Sequence, residues 1–190
     1  MVHMSEDKQP LNVFLCHAHD DKVEARKLYR VLKWCDVQPW MDSEDLYGGQ
    51  VWEEEIHKAL ENSDAIIIFL SKKSVKKEGY IQTEIRRALN ISEEKPDGTI
   101  FIIPLRLEVC DVPTHLKKYQ WVDLFEYGFD KLIKSLNKRA EQLGRMTVKI
   151  PSPPEPKLEL PKDKNDHSDI IIIVIDKRDL EGGIQGIPYK

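Results

Sequence analysis

The run Ala65-Ile66-Ile67-Ile68-Phe69-Leu70 decides the fold of this chain. Every residue in it is apolar, so a β-strand formed by this run has no face suited to water. Strands of this kind occupy the centre of parallel sheets that carry helices on both faces. The run therefore predicts a central strand of an α/β sheet, followed by a polar loop that begins at Ser71.

Further strand patterns lie on either side of this central run. Residues 12–16 form a short apolar run that predicts a first strand, and residues 37–41 predict a second one, whose proline suits the edge of a sheet. Residues 100–105 and 119–124 predict a fourth and a fifth strand. The segment between these last two is short and contains a proline, so it has room only for an abbreviated helix.

Helical patterns fill the other intervals between the predicted strands. Their apolar residues recur at spacings of three and four, as in helices with one buried face. The first predicted helix follows Asp20 or Asp21 as a cap, and the second begins near Gln50. The third covers residues 79–89, and the last one ends at Gly144 as a C′ glycine.

Strands that alternate with helices predict a flavodoxin-like α/β fold. We expect a five-stranded parallel sheet in the order 2-1-3-4-5 with helices on both faces. In this order, ligands bind at the carboxyl ends of strands one and three, which are followed here by His17 and Ser71. The loop with Asp42 and the helix with Glu84 open onto the same edge of the sheet. Four polar elements are thus expected to border one crevice, the candidate active site.

Composition indicates one domain with a tail. The 190 residues are 41% hydrophobic and 33% charged, which is enough for one sizeable core. We predict a polar N-terminal tail at 1–10, the α/β domain at 11–144, and a proline-rich linker with a short C-terminal segment at 145–190. That last segment resembles the start of a truncated second domain. Its prolines and charges predict little contribution to the core.

Charge and cysteine usage exclude several classes of protein. The net charge of −4 comes from intermixed basic and acidic residues, so no basic surface for nucleic acid is expected. The longest apolar run, 170–175, is too short to span a bilayer, and residues 1–10 lack an apolar signal region. Cys16, Cys35 and Cys110 are odd in number and widely spaced, as reduced thiols are. We expect a soluble, cytoplasmic protein that binds neither nucleic acid nor membrane.

The common catalytic motifs are missing. The sequence has no P-loop, no dinucleotide-binding glycine motif and no nucleophile elbow. His17 and His19, with the aspartates that follow, could ligate a metal, but no other His or Cys has suitable spacing, and we predict no metal site. A phospho-acceptor receiver domain shares the predicted fold, and Asp20 and Asp21 would suit its magnesium. It would also need an aspartate where this chain has Ser71.

Glu84 lies on the flank of a predicted apolar helix face. At about 100° per residue the apolar stripe is formed by Ile81, Ile85, Ala88 and Leu89. Tyr80, Glu84 and Arg87 fall together beside it. When the helix is considered alone, a surface ion pair with Arg87 is the better explanation of Glu84. The other polar elements around the predicted crevice make Glu84 a candidate for chemistry.

Four segments of the chain, in order, carry a family resemblance. They are VFLCHAHD at 13–20, PWMDSEDLYGGQ at 39–50, FLS at 69–71 and YIQTEI at 80–85. Together they resemble the TIR domain family over residues 10 to 140, and the bacterial type more than the domains of animal receptors. The resemblance implies a flavodoxin-like fold and one of two functions. Some members are scaffolds that assemble through homotypic contacts, and others cleave the nicotinamide glycosidic bond of NAD+.

The enzymatic members suggest specific roles for residues of this chain. In them a glutamate on the helix after strand three is essential, and Glu84 matches it. The resemblance thus implies an NAD+ glycohydrolase or ADP-ribosyl cyclase of bacterial anti-phage immune signalling, with NAD+ as substrate and no cofactor. The expected substrate contacts are His17, His19, Asp42, Ser71 and Tyr80. Tyr80 replaces the tryptophan of many members, and the two histidines replace Tyr, Ser or Arg, so the ligand contacts differ in detail.

The resemblance also implies partners. The loop at 42–49 mediates contacts between domains in this family, and here its apolar, flexible tip is formed by Leu46, Tyr47, Gly48 and Gly49. Homotypic TIR–TIR self-association is therefore expected, together with a fused or separate effector or sensor domain. The main alternative function is a non-enzymatic TIR scaffold, and a nucleoside glycosyl-transferring enzyme of the same fold is a third.

Trp40 and Trp52 are expected in the core because of their strand and helix periodicity.

Overall fold

The computed structural model describes residues 8–76 and 80–150, apart from the side chains of residues 80–82 and 84. The strands are β1 Asn12–Cys16, β2 Gln38–Trp40, β3 Ala65–Leu70, β4 Ile102–Arg106 and β5 Val122–Asp123. The α-helices are α1 Lys22–Trp34, α2 Asp42–Asp45, α3 Trp52–Glu61, α4 Tyr80–Glu93 and α5 Gly128–Leu143. Short 3₁₀ turns cover His19–Asp21, Ser74–Lys76 and Thr114–Leu116.

The five strands form one sheet in the order β2-β1-β3-β4-β5. Every neighbouring pair is parallel. The predicted fold class is therefore confirmed, with β3 at the centre and the short β2 at one edge. Since the strands are parallel, the loops that follow β1 and β3 leave the sheet at the same edge, where the crevice was predicted.

The central strand is buried on both of its faces. Ala65, Ile67 and Phe69 pack into a core that contains the apolar faces of α1 and α5. Ile66, Ile68 and Leu70 point to the other face and pack with α3 and α4. Burial of each large apolar side chain contributes about 1.5–3 kcal/mol, so this strand is a major source of stability.

Helix α5 is bound to the amino edge of the sheet by buried polar contacts. The Arg139 Nε donates to the Asp64 carbonyl oxygen at 2.7 Å. The Asp64 carboxylate accepts the Asn12 backbone N–H at 2.9 Å and pairs with Arg145 at 3.2 Å. Burial lowers the pKa of Arg139, and the charge of Asp64 opposes that effect. These contacts lie at the edge of the sheet opposite the predicted crevice.

The packed region extends past Gly144, where the sequence analysis placed the end of the domain. Val148 is buried in the core formed by α1 and α5. Its backbone N–H donates to the Asn137 Oδ1 at 2.6 Å, and its carbonyl oxygen accepts from the Asn137 Nδ2 at 3.1 Å. Residues 145–150 therefore pack on the domain. Residues 151–190, with the strand-like run at 170–175, lie outside the described residues.

Two local expectations were wrong. Residues 42–49 do not form a loop throughout, because Asp42–Asp45 make the short helix α2. Trp52 is 41% exposed, since it stands at the first position of α3, whereas Ile56 one turn later is fully buried. Trp40 does pack in the core, where its ring stacks on Phe14 with 5.0 Å between ring centroids.

Candidate functional site

His17 joins the end of β1 to the start of α2. Its buried side chain places Nε2 3.3 Å from the Asp42 Oδ1 and Nδ1 3.0 Å from the Ala18 carbonyl oxygen. The Asp42 Oδ1 also accepts the Ser43 backbone N–H at 2.6 Å. Two residues predicted as substrate contacts from separate elements are thus brought together at the carboxyl edge of the sheet.

The carboxylate of Asp42 is held in its ionised form. Partial burial acts to raise its pKa, but the hydrogen bond and charge of His17, the Ser43 N–H and the charge of Lys22 together outweigh burial. The pKa of Asp42 is therefore lower than that of an ordinary aspartate. At neutral pH Asp42 is therefore an ionised hydrogen-bond acceptor at this edge of the sheet.

A second polar cluster joins the loops that follow β1 and β3. The Ser71 Oγ donates to the Asp21 Oδ2 at 3.1 Å. The Ser71 backbone N–H donates to the Ser74 Oγ at 2.7 Å, and the Ser74 N–H donates to the Ser71 Oγ at 3.1 Å. All three residues are buried. This cluster lies at the point of the sheet where the strand order reverses.

Sequence reasoning missed the role of Asp21 and Ser74. Asp21 precedes α1, but its side chain makes no capping hydrogen bond, and neither does the side chain of Ala18 before the 3₁₀ turn. Ser71 was predicted as a substrate contact, whereas its hydroxyl is 5% exposed and engaged with Asp21 and Ser74. The pair Ser71 and Ser74 at i,i+3 after a strand is a local signal for a hydroxyl-stabilised turn.

The remaining predicted contacts are distributed around the same edge. His19 is exposed in the turn His19–Asp21. Tyr80 and Glu84 belong to α4, whose early residues lie near this edge because the helix follows β3. Their side chains are outside the described part of the structure, and so is any pairing of Glu84 with Arg87. Ile85 and Ala88 of the predicted apolar stripe are buried.

The predicted self-association loop has a fixed base and an exposed tip. At the base, the Arg26 Nε donates to the Glu44 Oε1 at 2.7 Å, and the Tyr29 hydroxyl donates to the Asp45 Oδ1 at 2.8 Å. At the tip, Tyr47 is 76% exposed. Gly48 and Gly49 are also exposed. The base is thereby attached to α1, and the tip is available to a partner.

A cleft of about 570 Å³ lies away from these residues, at the carboxyl end of α4. It is lined by residues 92–93, 95–99 and 118–119, and none of the predicted site residues borders it. Within the part of the chain that the structure describes, no group of three or more His, Cys, Asp or Glu could hold a metal ion. The helices among the described residues include none long and apolar enough to cross a membrane. Cys16, Cys35 and Cys110 are buried thiols.

An open parallel sheet in the order β2-β1-β3-β4-β5, with polar side chains at its switch point, defines a flavodoxin-like α/β domain. Residues 13–136 match the family model described as TIR domain. Because this match covers more than half of the sequence, the chain belongs to the TIR domain family.

A solved structure of a TIR domain resembles this one in fold. The TIR domain of the Toll-related Receptor TRR-2 from Hydra magnipapillata is 20% identical with a TM-score of 0.55, over 66% of this chain and 98% of that one. The TIR domains of the activated Roq1 resistosome, which recognises the pathogen effector XopQ, are 21% identical with a TM-score of 0.45, over 50% of this chain and 57% of theirs. A comparison with curated protein sequences finds no match.

Proposed function

We propose that this TIR domain cleaves the nicotinamide glycosidic bond of NAD+, with Glu84 as the catalytic carboxylate. The observation that carries the proposal is the position of Glu84 in the chain. It is the fifth residue of α4, the helix after the central strand β3, which matches the essential glutamate of the enzymatic TIR domains. His17 and Asp42 lie at the same edge of the sheet as the buried cluster of Asp21, Ser71 and Ser74.

The chemistry of the bond gives a carboxylate its role. Nicotinamide leaves as a neutral base and takes the bonding electron pair, so positive charge develops at the ribose C1′. A fixed carboxylate close to C1′ stabilises this oxocarbenium-like transition state. Attack by water then forms ADP-ribose and releases one proton, whereas attack by a nitrogen of the adenine ring forms a cyclic isomer. Both products begin with the same bond cleavage.

The other residues of the site are assigned supporting roles in this proposal. Tyr80, one helical turn before Glu84, supplies an aromatic wall for the substrate. Asp42 is ionised and partly exposed, which suits it to accept hydrogen bonds from ribose hydroxyls. His17 orients Asp42, and the exposed His19 contacts the substrate from the rim. We place the protein in the cytoplasm. We also propose a role in immune signalling against phage, because the sequence resembles the bacterial type of TIR domain.

The alternative function is a scaffold that acts by homotypic TIR–TIR contact. The exposed tip of the loop at Tyr47 favours it, because this ring is accessible to the surface of a second domain. Self-association is compatible with both functions, since assembly can complete an active site. An effector or sensor domain that responds to the assembly is a further proposed partner. NAD+ cleavage separates the two functions.

Incubation of the purified full chain with NAD+ tests the proposal. Chromatography of the mixture should show nicotinamide released in proportion to NAD+ consumed, together with ADP-ribose or a cyclic isomer. Omission of the protein is the control for spontaneous hydrolysis. Unchanged NAD+ at high protein concentration, where the domains are fully self-associated, would favour the scaffold instead.

A further inference from the structure

Asp21 is a buried carboxylate with no role in the site as described so far. It is 4% exposed, and its partner Ser71 lies 50 positions away along the chain. The contact joins the loop that follows β1 to the loop that follows β3. These are the two loops that border the predicted crevice.

Ser71 and Ser74 link the Asp21 carboxylate to the backbone of the turn through hydrogen bonds. The Ser71 Oγ donates to Asp21 and accepts the Ser74 N–H, while the Ser74 Oγ accepts the Ser71 N–H. These bonds form the turn by which the chain leaves β3. Only residues 77–79 separate the turn Ser74–Lys76 from the first residue of α4. The last described turn before α4 therefore lies beside Asp21.

A carboxylate is a costly residue for this position if its role is only structural. Burial raises the pKa of Asp21, and the charges of Glu24 and Asp20 raise it further, whereas the hydrogen bonds from Ser71 and Ser74 lower it without cancelling the rise. The charged form is thus less favourable here than in water. A neutral side chain of the same shape would meet the packing needs with less loss of stability.

We propose that Asp21 is a positioning residue for the reaction at Glu84. Its ionised carboxylate holds the turn at Ser71 and Ser74 against the loop after β1, and thereby fixes the point from which the chain departs toward α4. Asp21 touches no reacting atom and acts through Ser71. This inference rests on the proposed NAD+ cleavage.

The first test compares Asp21→Asn with Asp20→Asn, which removes the same charge from the neighbouring exposed residue. We expect Asp21→Asn to lower kcat by roughly tenfold to a hundredfold with little change in KM, as misplacement of a catalytic group does. Its resistance to urea should equal or exceed that of the wild type, because a buried charge is removed. Asp20→Asn should keep the kcat of the wild type at neutral pH, although the loss of its charge lowers the pKa of Asp21. A kcat unchanged in Asp21→Asn would overturn the proposal.

The pH profile of kcat gives a readout that a structural role would not affect. Since the pKa of Asp21 is raised, the wild type should lose activity on acidification at a higher pH than an ordinary aspartate would cause. That acidic limb should be absent from Asp21→Asn. An identical acidic limb in both proteins would contradict the role of the ionised carboxylate.

The last test is independent of NAD+ cleavage. Asp21→Ala removes the acceptor of the Ser71 hydroxyl, so the amide protons of Ser71 and Ser74 should exchange with solvent faster than in the wild type and in Asp20→Asn. In activity, Asp21→Ala combined with Ser71→Ala should be no worse than the more damaging single change. Unchanged exchange or fully additive losses would overturn the inference. Faster exchange in Asp21→Ala, together with a wild type that does not cleave NAD+, would instead overturn the proposed function.

Discussion

Asp42 is held in place by the same contacts that keep it ionised. Its Oδ1 faces the His17 Nε2 at 3.3 Å and accepts the Ser43 N–H at 2.6 Å. These contacts stabilise the charged carboxylate more than the protonated one, so the pKa of Asp42 is lowered in the folded protein. The ionised side chain therefore contributes to the stability of the base of the loop at 42–49.

The stability of the protein should depend on pH through Asp42. A carboxyl group with a lowered folded pKa contributes stability above its unfolded pKa of about 3.9, and this contribution is lost as the pH falls through the folded pKa. Asp42→Asn should thus be less stable than the wild type at neutral pH, and the difference should shrink with acidification below about pH 4. Urea unfolding at a series of pH values measures this.

The exposed Asp111 provides the control for Asp42. Asp111→Asn removes a carboxylate without removing a buried contact, so its unfolding free energy should follow that of the wild type throughout. A deficit of Asp42→Asn that stays constant into acid would mean that the Asp42 charge is not its source.

At the scale of single residues, the sequence placed His17 and Asp42 at the same edge of the sheet but did not reveal the contact between them. Asp20 or Asp21 was predicted as a helix cap, because a cap is a local pattern that a short stretch of sequence reveals. The actual partner of Asp21, Ser71, is distant in the chain. Such a contact follows from the pairing of β1 with β3, which brings two loops together only in the folded sheet.

The junction between β5 and α5 has the tightest glycine position among those described. A Cβ placed on Gly128 would lie 2.1 Å from the Asp123 carbonyl oxygen and 2.6 Å from the carbonyl carbon. Backbone atoms cannot move aside there without displacing the start of α5. The preceding Tyr127 takes a left-handed conformation with φ 52°, so the chain turns sharply at this point.

Gly128→Ala should therefore destabilise the domain. We expect a loss of about 1–3 kcal/mol in unfolding free energy, as for other overpacked positions. Gly48→Ala is the matched control, since its Cβ would meet nothing within 4 Å, and it should change stability by about 0.5 kcal/mol at most. Urea unfolding of both variants measures the difference. Equal stability of the two variants would show that the junction between β5 and α5 accommodates the extra methyl group without loss of unfolding free energy.

At the scale of elements, periodicity predicted the identity and order of the strands better than their extent. The segment 119–124 suggested a strand of six residues, whereas β5 comprises only Val122–Asp123. Trp52 shares the stripe of Ile56 on α3 but is largely exposed. A repeating pattern identifies the face of a helix that packs on the sheet. The number of residues that are paired in a strand or buried on a helix depends on the neighbouring elements.

The loop tip at Tyr47 is the proposed contact between copies of the domain. Its exposed aromatic ring stands on a base that Arg26 and Tyr29 attach to α1. If self-association completes the active site, activity per molecule should rise with protein concentration. Tyr47→Asp should abolish this rise, because a charge replaces the apolar contact. Rates measured in a dilution series test it, with sedimentation as the check on assembly. Activity strictly proportional to protein down to nanomolar concentrations would contradict this prediction.

The limits of the domain can be tested by truncation. Val148 packs in the core and Met146 donates its backbone N–H to the Gln9 carbonyl oxygen at 3.0 Å. A chain ending after Ile150 should therefore keep the unfolding free energy of the full chain, whereas one ending after Gly144 should lose stability. Limited proteolysis of the full chain should likewise leave a fragment that retains Val148. Unfolding of the protein on removal of 151–190 would show that the C-terminal segment belongs to the core.

The most direct test of the account is Glu84→Gln, assayed for NAD+ cleavage beside Glu93→Gln on the same helix. Glutamine keeps the size and helix propensity of Glu84 but lacks the charge that a cationic transition state requires. We predict that kcat falls to background in Glu84→Gln while the free energy of unfolding changes by no more than about 0.5 kcal/mol, and that the exposed Glu93→Gln retains wild-type activity. Undiminished cleavage in Glu84→Gln would place the reactive carboxylate elsewhere, with Asp42 as the next candidate, and would contradict the account.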